Sequence, residues 1–348
     1  MHGNGTRTGR ATAAGMVLAV VLIAGLGVAG WAIWSSLRAV PASTGGASAG
    51  AAPAATAGPR VADPSRYQAI TKAAEEHERE QRFEAAEKVL RAGVSEFVDD
   101  QQLRVALAEF LVRRGRFAEA YTQYVAALAI GPRDPATEFK AGMMASVMNN
   151  PERAIEHFGA AQRGDPTEPK YPLFLASAEL KLGQLDDARA NLVRATVLDE
   201  SNATAWGTLA ELELRTNEPT LAVQHARKAR SADPGEAAWK LLEARALKRT
   251  GEPEQALMLL GTLDEQVRDK VEYLRTIGEC LAMVDRREDA ADRYEAAVKR
   301  HPDDGVLAYE AAVWAERVGR IERARALAQR AADLGHAAAK ELAARLGA

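Results

Sequence analysis

The side chains best suited to chemistry are few and scattered. Six histidines stand at His2, His77, His157, His225, His301 and His336, and the one cysteine is Cys280. No two histidines are four residues apart and no second cysteine joins them, so the spacing of a helical zinc site is missing. A lone cysteine also excludes an internal disulfide. Carboxylates are plentiful but recur along the chain instead of converging, and no acid/base pair, triad or phosphate loop emerges. The letters Gly25-Leu26-Gly27-Val28-Ala29-Gly30 match a dinucleotide fingerprint, yet no strand precedes them and the first acidic residue is Asp63. The sequence therefore predicts no catalytic residue, no cofactor and no metal, and an enzyme with a hidden site is the last of three functional readings.

The elements behind these residues are helical. Hydrophobic residues make up 47% of the chain but aromatic ones only 5%, with alanine abundant, which disfavours an all-β core and favours closely packed helices. Net charge of −3 and a pI near 6.2 give no electrostatic case for nucleic acid. Residues 1–10 form a short leader with Arg7 and Arg10, and residues 11–37 carry no charge. That run is long enough to cross a hydrocarbon core of about 30 Å, with Trp31 and Trp34 at its far end. The expectation is a single transmembrane helix acting as a signal anchor, with the N-terminus cytoplasmic by the positive-inside rule. The alternative is a cleaved signal and a secreted or periplasmic protein. Residues 38–66, rich in Ala, Gly, Ser and Pro, read as a flexible linker.

Beyond the linker the chain repeats itself every 34 residues. Ala86, Ala120, Ala154, Ala188, Ala222, Ala256, Ala290 and Ala324 form one ladder. A second, from Ala74 through Gly142 and Gly278 to Ala312, is Ala or Gly throughout. Gly115, Asn149, Gly183, Asn217, Gly251, Asp285 and Gly319 mark a turn in the same phase. Small residues let two helices touch, and Gly or Asn tolerates the left-handed backbone that ends a helix. Pro151, Pro219 and Pro253 fall where a second helix should begin, a position that needs no N–H donor. His157 and His225 share one place on that second helix, which predicts a surface position. Cys280 stands where other units have Phe110, Met144, Ala178 and Leu212, so a core position is expected.

These residues resemble the tetratricopeptide repeat (TPR) family. The fifth unit reads Trp206, Leu209, Ala210, Asn217, Ala222, Ala229 and Pro234, and the second reads Leu107, Ala108, Gly115, Phe117, Ala120, Tyr124, Ala127 and Pro132. The resemblance implies an all-α fold, a right-handed α-solenoid of about eight 34-residue helix-turn-helix units over residues 67–338. The units are 67–100, 101–134, 135–168, 169–202, 203–236, 237–270, 271–304 and 305–338, followed by a C-terminal capping helix at 339–348. The sixth unit departs from the pattern at Glu243, Leu263 and Arg268, which predicts an irregular exit.

In this family the first helices line a concave groove for a protein or peptide partner. Carried over position by position, the groove would include Val105, Val112, Phe139, Met143, Val147, Leu173 and Leu180. Arg79, Arg113, Lys181, Arg215, Arg249 and Arg317 recur in the last turn of the first helix, where cations complement the helix dipole. Arg245, Lys248, Arg249 and Arg275 read as a net positive patch in the groove. The family's clamp for chaperone C-termini needs asparagines that the matching sites lack. The expected function is a membrane-anchored, non-enzymatic scaffold at a bacterial inner membrane, with the repeats periplasmic and serving envelope assembly or export. The alternative is a self-assembling organiser of a membrane complex, a homo-oligomer.

Overall fold

The computed structural model describes residues 64–347, and among these residues it contains eighteen helices and no strand. The anchor expected at 11–37 and the linker up to residue 63 lie outside the described residues. No described helix is long and apolar enough to cross a membrane. The first described helix, from Pro64, includes Ser65 and Arg66, residues the composition assigned to the linker. Proline fits a first helical turn, where its missing N–H has no partner to lose.

The described residues fall into two compact units that divide between residues 200 and 201. In the first, helices pair as α1 (Pro64–Arg79) with α2 (Phe83–Glu96), and α3 (Gln101–Arg113) with α4 (Phe117–Ile130). Two further pairs are α5 (Pro135–Val147) with α6 (Pro151–Gly164), and α7 (Lys170–Leu182) with α8 (Leu185–Leu198). The second unit holds α9 (Ala203–Arg215) with α10 (Pro219–Ala232), then α11 (Ala237–Thr250) with α12 (Pro253–Gly261) and the single turn α13 (Glu265–Arg268). It continues with α14 (Val271–Met283) and α15 (Arg287–Arg300), α16 (Gly305–Arg317) and α17 (Ile321–Asp333), and α18 (Ala337–Gly347). Inside each unit a second helix packs against its own first helix and against the next first helix.

The three ladders explain why this sequence makes these pairs. Every alanine of the Ala86–Ala324 ladder is fully buried, and the second ladder is buried throughout. Gly142 and Gly278 are glycine for a local reason. A Cβ at Gly142 would stand 2.6 Å from the Phe158 ring, and one at Gly278 would meet Trp314 at 3.0 Å. All seven turn residues adopt positive φ, and Gln81 does so in the first pair at 60°. Pro151, Pro219 and Pro253 each open their helix.

The sixth pair is irregular, as its sequence departures suggest. Helix α12 has nine residues where α10 has fourteen. Arg268 then folds back: its Nε donates to the Leu263 carbonyl at 2.8 Å, and a terminal nitrogen donates to the Gly261 carbonyl at 3.0 Å. Leu263, too large for its place in the repeat, is buried. At the C-terminal end α18 packs on α17 through Ala339, Leu342 and Leu346, and it begins two residues before the expected cap.

Candidate functional site

The described residues hold no group of three His, Cys, Asp or Glu side chains arranged to bind a metal. Cys280 is fully buried on α14, and burial pushes its thiol up to about 11, which keeps it protonated. The two second-helix histidines are not surface groups, contrary to their sequence reading. His157 on α6 bonds through Nδ1 to the buried Glu138 carboxylate at 2.7 Å, and its Nε2 lies 3.1 Å from the Tyr121 hydroxyl. His225 on α10 bonds through Nδ1 to buried Glu213 at 2.8 Å and stacks on Trp206.

These are two members of a set of buried glutamates that the sequence reading missed. Glu179 accepts from the Asn191 amide at 2.9 Å, and burial raises its carboxyl above the usual range despite that bond. Glu243 is held by Arg227 at 2.9 Å and Arg230 at 2.6 Å, both from α10. A signal was available: Glu179 and Glu213 are 34 apart, and so are Asn191 and His225. Reading the repeats as columns for polar pairs, and not only for small residues, would have found it. A buried carboxylate is costly without partners, and here each one has them.

The predicted groove strip is continuous with the core instead of standing apart from it. Met143, Val147, Leu173 and Leu180 are buried, while Val105, Val112 and Phe139 are partly buried and pack against the core cluster. Phe139 sits in a ring cluster, 5.1 Å from Phe174, 5.4 Å from Tyr171 and 5.5 Å from Phe158 between centroids. What this face of the first helices shows to solvent is therefore the edges of Val105, Val112 and Phe139, bordered by charge. Arg113 on α3 binds both oxygens of Glu78 on α1 at 3.0 Å, and Lys140 on α5 pairs with Glu109 on α3. Both of these ion pairs join neighbouring first helices.

The net positive patch expected in the second unit is neutralised. Arg245 lies 3.2 Å from Glu272 and 3.7 Å from Glu211, Lys248 pairs with Glu279, and Arg275 donates to Glu310 at 2.9 Å. Arg249 donates to the Asn217 side chain at 2.9 Å. Each carboxylate comes from a neighbouring helix, which a count of charges along one helix does not register.

Comparison with known proteins agrees with this architecture. Residues 71–135 and 173–237 match the family model described as tetratricopeptide repeat. A crystal structure of a tetratricopeptide repeat protein from Parabacteroides merdae superposes with a TM-score of 0.56 at 15% identity, covering 71% of this chain and 99% of that one. At that identity the likeness speaks for the fold alone. The TPR repeat-containing thioredoxin of Arabidopsis thaliana is 29% identical over 98 residues, 28% of this chain. The chain spans only 14% of that protein's length. YrrB, a TPR protein described as having an unusual peptide-binding site, matches at 22% identity over 56% of this chain and 99% of its own, with a TM-score of 0.43 that is too low to carry an argument. Residues 71–135 and 173–237 thus match tetratricopeptide repeats, and the described helices, with no strand among them, share the all-helical fold of a TPR protein.

Proposed function

We propose that this protein is a scaffold that binds a protein or peptide segment on the first-helix face of residues 64–200 and does no chemistry of its own. One observation carries the reading. Val105, Val112 and Phe139 present partly exposed apolar edges in a row across α3 and α5, between cross-helix ion pairs that fix their spacing. An apolar segment laid along that row removes those edges from water, while the bordering charges set its direction. We also propose that residues 11–37 anchor the chain in a bacterial inner membrane with the repeats on the periplasmic side, placing the scaffold in envelope assembly or export. The support is the uncharged run and the arginines that precede it.

The burial of Met143 makes it a poor target, because a charge there would disturb the core. Val105→Ser with Val112→Ser is the better test. A fluorescent Leu/Ala/Gln peptide should bind the unmodified protein and lose about tenfold in affinity to the folded double variant, measured by anisotropy. Equal binding by both proteins refutes the site. Protease access to the repeats from each side of the membrane checks the topology.

A further inference from the structure

The first-helix face of residues 64–200 carries a row of cations at the last helical turn, and one member lacks the counter-charge its neighbours have. Arg79 pairs with Glu75 at 3.4 Å, and Arg113 grips Glu78 with both oxygens at 3.0 Å. Lys181 holds the same position on α7, and among the described residues no carboxylate pairs with it and no hydrogen bond reaches it. The cause is register. Arg113 reaches the residue 35 places earlier, Glu78 on the preceding first helix. The residue 35 places before Lys181 is Ser146, which has no charge to offer. Lys181 is only partly exposed, and Val147 at the same place on α5 and the preceding residue Leu180 are buried. Desolvation holds its ammonium below the usual lysine range.

We propose that the segment bound on this face is apolar and carries one side-chain carboxylate that meets Lys181, taking the place Glu78 holds beside Arg113. This rests on the binding face described under the proposed function and specifies its ligand. A carboxylate there pairs with a cation that is already partly desolvated, so the contact selects more sharply than a rim charge in open water. The apolar residues of the segment cover Val112 and Phe139.

The test uses the full chain in detergent micelles and short fluorescent Leu/Ala/Gln peptides with both ends blocked. The peptides differ at one central residue: Glu, Gln or Lys. Anisotropy should show the Glu peptide binding about tenfold tighter than the Gln peptide, with the Lys peptide weakest. Lys181→Met should bring the Glu peptide down to the Gln level and leave the Gln peptide unchanged. Ser146→Glu should do the same with the lysine still present, because it supplies the missing internal partner. Circular dichroism confirms that both variants are folded. Equal binding of Glu and Gln peptides overturns the proposal, as does a preference that survives Lys181→Met. A Gln peptide with a free C-terminus that matches the Glu peptide also overturns it, assigning Lys181 to a terminal carboxylate instead. Binding without preference refutes this inference and spares the binding face, whereas failure of every peptide to bind refutes both.

Discussion

At the scale of single residues, this protein places its unusual side chains where packing wants them. Asn149, Asn217 and Asp285 hold the left-handed turn at φ of 56°, 62° and 60°, a conformation short polar side chains tolerate and branched ones do not. A partly buried acid, Glu211 on α9, is the costlier choice. Burial pushes Glu211 up to about 7, while Arg245 at 3.7 Å pulls it down. A carboxyl whose native pKa stands above its unfolded value stabilises the fold while protonated. That contribution is lost as the pH climbs from about 4.5 through about 7. Glu211→Gln should therefore raise the melting temperature more at pH 8 than at pH 5, and an equal shift at both would show that Glu211 titrates normally. Arg245 keeps Glu272 in that variant, so the change reports the acid and not a stranded cation.

At the scale of elements, most of the fold was legible because helix contact demands small residues and demands them periodically. Ala154 illustrates the constraint: it is fully buried between α5 and its own helix, with Phe158 one turn away filling the notch at Gly142. Ala154→Leu should cost about 1–3 kcal/mol by overpacking, read from a denaturant midpoint at unchanged slope. The same change at exposed Ala118 should stay within about 0.5 kcal/mol. What stayed hidden were interactions between elements. Spacing placed Arg113 in the last turn of its helix, but its pairing with Glu78 depends on how two first helices are offset. The neutralised cations at Arg245, Lys248 and Arg275 escaped for that reason, and so did the isolation of Lys181.

At the scale of the whole molecule, the repeats build their cores locally, between neighbouring helices. Aromatic residues can be few in such an architecture because no distant parts of the chain must meet. The same locality makes the weakest link decisive. In the sixth repeat the second helix stops at Gly261, and residues 264–266 are exposed before α14 resumes. Arrays of this kind unfold along their length, and a segment held by few buried contacts opens at little cost. Arg268 and Lys270 offer trypsin a cut there, so brief digestion should nick this stretch before any other described residue, with masses identifying the site. First cleavage within a helix pair elsewhere would contradict that order. If the nick does come first, the shortened helix is a built-in seam, and a cell's quality-control proteases would meet this protein there before anywhere else in its repeats.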